Sequence, residues 1–291
     1  MLDHLKALPP DPILGILTAY KQDPNPKKID LGVGVYKDES GETPILLSVV
    51  HAEKEMIARQ TSKTYLGPSG VTGFNSAITR LLFGEELAES SGARIRTVQT
   101  PGGTGALRVA ADLIQAANPG STVWMSDPTW SNHTAIFPAS GLKIASYPYF
   151  DPQSSSLRFS DMMAGLENLG PQDTALFHAC CHNPCGVSPT AEQWQQITDL
   201  AAEREFLPLV DIAYQGFEKS LEEDNLAVRL FTQKCPEVVV ASSCSKNFAV
   251  YRDRVGALSI VTARQEQSEA VETVIHSLTR KNYSMPPAHG P

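Results

Sequence analysis

Seven short runs rich in Val, Ile, Leu and aromatic residues constrain this chain more than any other feature. They begin near residue 94 and read "RIRTVQT", "STVWMSD", "LKIASYPYF", "DTALFHACC", "EFLPLVDIAYQG", "PEVVVASS" and "VGALSIV". Between the first two lies "TGALRVAADLIQAA", whose apolar residues at 106, 107, 109, 110, 113 and 114 have the spacing of a helix with one buried face. Hydrophobic strands alternating with helices predict an α/β fold, a mostly parallel seven-stranded sheet with helices on both faces. Residues 1–45 are rich in Pro and Gly and lack this rhythm. They are expected to form an N-terminal arm and an incomplete small domain, with 46–291 as the large domain.

Charge and cysteine content narrow the partners. The 291 residues carry 24 Lys+Arg against 32 Asp+Glu, a net charge of -8 without basic clusters, which argues against nucleic acid and anionic membranes. Five cysteines, an odd number with three crowded at Cys180, Cys181 and Cys185, do not suit a secreted disulfide framework. No stretch is apolar for long enough to span a bilayer. A small-molecule ligand and a cytoplasmic location are the expectations.

In open α/β sheets ligands collect at the carboxyl ends of the strands. After "RTVQT" comes "PGGTGAL", a glycine-rich turn opening a helix whose free N–H groups suit a phosphate. It is neither a G-x-G-x-x-G fingerprint nor a P-loop, and alone it is equally a plain tight turn. After "TALFHACC" comes Asn183; after "FLPLV" come Asp211 and Tyr214; after "VVVASS" come Ser243, Ser245 and Lys246; Arg254 precedes the seventh strand. A lysine between two β-branched runs, where a solvated lysine has no reason to be, asks for a chemical role.

That set matches the needs of pyridoxal phosphate, whose aldehyde forms a Schiff base with a lysine amine. Lys246 would supply the amine. Asp211, with His133 as its partner, would keep the pyridine nitrogen protonated, and Tyr214 and Asn183 would bond the phenolic oxygen. Gly103, Thr104, Ser243, Ser245 and Arg254 would take the phosphate, and Trp130 would stack on the ring.

The motifs "LGVGVYKDE", "YLGPSG", "TPGGTGALRVAADL", "DPTWSNH", "HACCHNPCG", "DIAYQGF", "SCSKNF", "RVGALS" and "RKNYSMPPAHG" resemble those of class I aminotransferases, closest to the aspartate and aromatic amino acid group of pyridoxal phosphate fold type I. The resemblance runs along the whole chain. It implies that Lys246 carries the cofactor and shuttles the substrate α-proton, Asp211 pairs with the pyridinium, Asn183 and Tyr214 bond the phenolic oxygen, and Trp130 stacks. It further implies a homodimer with shared sites. Tyr65 would reach the neighbouring subunit's phosphate, Gly34 would offer backbone to the substrate carboxylate, and Arg280 would cross the interface to a side-chain carboxylate.

Two departures from the family stand out. Cys185 occupies the position usually held by Thr in "HNPTG", and the chain stops at "PPAHGP", before the arginine that grips the substrate α-carboxylate. A fragment of a longer enzyme, or an enzyme that has lost part of its site, is therefore expected. The leading expectation is a transaminase acting on aspartate or aromatic amino acids with 2-oxoglutarate as acceptor. The alternatives are a non-catalytic cofactor-binding fragment and a lyase or decarboxylase on the same cofactor.

One bland reading bears on later findings. His178, Cys180, Cys181, His182 and Cys185 could be taken as zinc ligands, but strand alternation would send Cys180 and Cys181 to opposite faces. They are expected to pack, with no metal. Trp124 and Trp194 are expected in the core or packed against helices.

Overall fold

The computed structural model describes residues 2–7, 12–30, 32 and 34–291. The chain divides into two compact units, Met1–Ile45 and Leu46–Pro291. The first holds helix α1 (Pro12–Gln22). Beyond it the Asp38 carboxylate accepts the N–H groups of Ser40 and Glu42 and turns the chain, and Lys37 pairs with Asp30 at 2.8 Å.

The second unit runs α2 (Leu47–Arg59), α3 (Thr72–Ser90), β1 (Ile95–Pro101), α4 (Gly102–Ala117), β2 (Thr122–Asp127), α5 (His133–Ala139) and β3 (Lys143–Pro148). The two-residue strands β4 (Phe150–Asp151) and β5 (Ser156–Leu157) pair with each other, and α6 (Phe159–Leu166) follows. Then come β6 (Asp173–His178), α7 (Ala191–Arg204), β7 (Leu207–Ile212), α8 (Leu226–Lys234), β8 (Val238–Ser243), β9 (Val255–Val261) and α9 (Gln265–Asn282). The main sheet has seven strands in the order β1-β9-β8-β7-β6-β2-β3. β3, β2, β6, β7 and β8 pair in parallel. β9 alone is reversed, antiparallel to both β8 and β1.

Alternation along the strands divides the core. Phe177, Val210 and Val240 point to one face, where they pack with Met162 of α6, Trp194 of α7 and Phe231 of α8. Their neighbours Leu176, Leu209 and Val239 point to the other, against Leu107 of α4, Phe137 of α5 and Ile275 of α9. Every residue of β8 and β9 is buried, as expected of strands covered on both sides. Trp194 lies in this core, whereas Trp124 is half-buried and donates from Nε1 to Asp173 at 3.0 Å.

Two strands are shorter than the hydrophobic runs suggest. "LKIASYPYF" breaks after Pro148, and "DTALFHACC" ceases to be strand at His178, with Ala179–Cys181 forming a bend. The C-terminal ends of six strands and the N-terminal end of β9 form one rim. Among the described residues no helix is long and apolar enough to cross a membrane, and all five cysteines are free.

Candidate active site

Asp211 lies at the C-terminal end of β7, last but one in the strand and as the sequence suggested, and pairs in register with His178 of the parallel strand β6. Register places both side chains on one face of the sheet. His133, the first residue of α5 and fully buried, completes the group through a contact of 3.1 Å between its Nε2 and Oδ2 of Asp211. Thr129 joins the two imidazoles, with its Oγ1 2.8 Å from His133 Nδ1 and 3.2 Å from His178 Nε2. The Asn183 backbone N–H points at His178 Nδ1, at 3.4 Å.

These contacts fix where the protons sit. A backbone N–H can only donate, so His178 Nδ1 accepts and its proton lies on Nε2, directed at Thr129. The threonine has one hydroxyl proton, which then goes to His133 Nδ1. His133 keeps its own proton on Nε2 and donates it to Asp211. Burial pushes His178 down to about 3, with the neighbouring His182 adding to the effect, so it stays neutral. Burial works against a charge on Asp211, but the His133 hydrogen bond, with the Lys246 charge adding to it, outweighs burial and holds the carboxyl below its usual range. His133 uses only one of the two carboxylate oxygens, which leaves Oδ1 for another donor.

Lys246 sits in a turn after β8, half-buried, with Nζ 5.0 Å from the ring centroid of Tyr214. Burial lowers its pKa, Asp211 opposes that, and the Arg254 charge adds to it. An amine that sheds its proton more readily is the better nucleophile near neutral pH. Burial and then the Asp211 and Cys181 fields raise the Tyr214 phenol, which a hydrogen bond with Asn183 partly offsets. Trp130 stands edge-on to His133, ring centroids 5.2 Å apart at 89°.

The N-terminus of α4 meets β8 and β9 at close quarters. No side chain caps this helix, so its first N–H groups are free, and Gly102 and Gly103 are buried. A Cβ on Gly103 would lie 3.0 Å from Cβ of Ser243, and one on Gly102 would collide with the guanidinium of Arg254. Gly102 also has φ of +70°, which no side chain favours. Arg254 donates to Ser245 Oγ at 3.3 Å, and the Ser245 N–H donates to Ser243 Oγ at 3.3 Å. Thr104, the next residue along α4, is exposed. Free N–H groups, two hydroxyls and a guanidinium together make an anion cradle.

Contacts thus link Lys246, Asp211, Tyr214, Asn183 and Trp130 in one group and Gly103, Ser243, Ser245 and Arg254 in another, with Lys246 and Arg254 in one loop. Three expected site residues stand apart in these respects. Tyr65 is 91% exposed on the loop before α3, Arg280 is exposed in the last turn of α9 and bonded to Ser284, and Gly34 belongs to the first unit. Thr129 was missed by sequence reasoning. Its only signal is its position in "DPTWSNH", four residues before His133, a spacing that does not announce a contact to β6.

Fold and rim together define an α/β protein that gathers a half-buried lysine amine and a cradle shaped for an anion at one edge of its sheet. The sequence profile described as aminotransferase class I and II matches residues 26–291. The aspartate aminotransferase of Salmonella typhi is 47% identical over 290 residues, covering 100% of this chain and 73% of that protein. The aromatic-amino-acid aminotransferase of Pseudomonas aeruginosa is 48% identical over 283 residues, covering 97% and 71%. Among solved structures, the Burkholderia pseudomallei aromatic-amino-acid aminotransferase covalently bound to pyridoxal phosphate superposes with a TM-score of 0.96 at 40% identity, covering 100% of this chain and 73% of that one. The chain belongs to the class I and II aminotransferases.

Proposed function

We propose that this protein transfers an amino group between aspartate or an aromatic amino acid and a 2-oxo acid, 2-oxoglutarate being the acceptor, with pyridoxal 5'-phosphate as cofactor. The observation that carries this reading is a half-buried amine, Lys246, lying over the Tyr214 ring and within the field of a buried Asp211 whose partner His133 occupies only one of its oxygens. The residues fit the cofactor on steric grounds too, because glycines stand where a Cβ would fill the cradle between α4, Ser243 and Arg254.

When bound, the cofactor supplies an aldehyde carbon that condenses with amines and a protonated ring that withdraws electrons from the substrate α-carbon. Lys246 Nζ would be the amine that holds the cofactor and, as a base, the group that moves the substrate α-proton. Asp211, with Oδ1 left unused by His133, would favour a proton on the ring nitrogen through its negative charge. Tyr214 and Asn183 orient the phenolic oxygen, and Trp130 covers the ring face. Gly103, Thr104, Ser243, Ser245 and Arg254 bind the phosphate.

The remaining roles extend to a second copy of the chain. An almost fully exposed Tyr65 is consistent with a side chain that serves a partner's phosphate. Arg280 reaches a substrate side-chain carboxylate across the dimer, and Gly34 meets the substrate's carboxylate with its backbone. Unpaired thiols suit a cytoplasmic setting.

The test is chemical. The protein loaded with pyridoxal phosphate and reduced with borohydride should carry the label on Lys246 alone, and aspartate added without acceptor should release one oxaloacetate per site. A label elsewhere, or a reducible bond that survives in Lys246→Ala, would overturn the assignment.

A further inference from the structure

The bend Ala179–Cys181 breaks the alternation that would have parted the two cysteines. Cys181 adopts a left-handed backbone, φ of +45°, and the thiols of Cys180 and Cys181 and a carboxylate oxygen of Glu218 all lie within 4.8 Å of one another. Cys180 is buried, Cys181 half-buried and Glu218 exposed, so the cluster has a deep end and an open end. We propose that these three residues form a site for a thiophilic divalent cation of the zinc type, separate from the lysine site.

The carboxylate is held in place for this. Its Oε2 accepts the Cys181 N–H and the Ser188 hydroxyl, each at 2.7 Å, which leaves Oε1 for a cation. The loop that carries Glu218 is anchored in turn by buried Asp224, which accepts the N–H groups of Gly216, Glu218 and Lys219 at 2.8, 3.1 and 3.0 Å. Zinc–sulfur bonds of about 2.3 Å set ligand separations near about 3.8 Å in a tetrahedron. The cluster need close by no more than about 1 Å, within reach of the exposed Glu218 and the half-exposed Cys181. Binding replaces two thiol protons, released to solvent, by one dication, and water completes the fourth position.

Occupancy would tie the bend leading into Asn183 to the loop that carries Tyr214, since the ligands come from both segments. The site thus connects metal availability to the two residues that orient the cofactor's phenolic oxygen.

The test uses the purified full chain with cadmium as the probe, read by sulfur-to-metal charge-transfer absorbance in the ultraviolet. One cadmium per chain should bind saturably and be displaced by zinc. Cys181→Ser and Glu218→Ala should each weaken binding at least tenfold, and Cys185→Ser should titrate like the parent. Both altered side chains reach solvent, and a Tm matching the parent without metal confirms that the variants fold; if Cys181→Ser does not, Glu218→Ala decides. Wild-type affinity in Cys181→Ser or in Glu218→Ala, or cadmium uptake that scales with total thiol content and resists zinc, would overturn the proposal. None of these readouts depends on transamination.

Discussion

Thr129→Val keeps the side-chain shape and deletes the single hydroxyl that joins two buried imidazoles. In the parent that hydroxyl lies 3.2 Å from His178 and 2.8 Å from His133. The variant strands one nitrogen on each ring, and an unsatisfied buried polar group costs about 1–3 kcal/mol, so roughly 2–6 kcal/mol of stability should disappear. A second effect falls on Asp211. Without the threonine proton on Nδ1, His133 is free to carry its own proton there, which would turn a lone pair toward the carboxylate 3.1 Å away. If about 1.4 kcal/mol of support for the ionised Asp211 is lost in this way, turnover should fall about tenfold. The assay pairs urea unfolding with steady-state kinetics on aspartate and 2-oxoglutarate. Thr129→Ser restores the hydroxyl and should recover both quantities. A valine variant equal to the parent in both, or a serine variant no better than valine, would refute the proton assignment.

Asp211→Asn should retain bound cofactor while transamination falls by orders of magnitude, because a neutral amide no longer favours a charged ring; near-normal turnover would move the ring contact elsewhere. In a full-length enzyme, Arg280→Ala should lower kcat/KM for aspartate by about two orders of magnitude, given charge-assisted bonds of about 1.5–3 kcal/mol, and change phenylalanine turnover far less. Mixing it with Lys246→Ala should restore aspartate activity in heterodimers, and verified heterodimers without recovery would place Arg280 outside the shared site. Acid should unfold the protein through its histidines. His178 and His182 titrate at about 3 and about 4 when folded against 6.5 ordinarily, so below 6.5 the unfolded chain binds protons that the folded chain refuses. Asp211, also depressed, adds to the loss as its own range is reached. The urea midpoint should therefore be level above about pH 7 and fall steadily below about 6.5; a midpoint unchanged at about pH 5 would contradict the burial argument.

What was legible in the sequence follows from periodicity. The apolar positions 106, 107, 109, 110, 113 and 114 are all buried along α4, because a helix offers one face and the core fills it. The partnership of His133 with Asp211 was also readable, since strand-end residues share a rim whatever the strand order. Thr129 was not, because its two contacts depend on how the turn before α5 crosses β6, a tertiary matter that local spacing does not record. The pairing of Cys180 with Cys181 was misread for a related reason: alternation holds only while the strand lasts, and β6 ends at His178. No periodicity would have revealed the pairing with Glu218, which comes from a different loop.

The reversed strand has a consequence for the order of events during synthesis. β9 lies between β1 and β8, so Ile95 finds its partner only at Val261. Its Gly256 packs so tightly that a Cβ there would lie 2.5 Å from the carbonyl carbon of Gly102 and 2.6 Å from the Ser242 oxygen. The amino end of α4 therefore gains its cover only when this last strand is inserted. A ribosome delivers β1 and α4 long before β9, and such non-local pairing is slow. Until then the growing chain carries an open-edged half-sheet with its glycine turn exposed. If the cradle holds the cofactor phosphate as proposed, cofactor capture would come late in synthesis, and a bound cofactor would report that the sheet has closed.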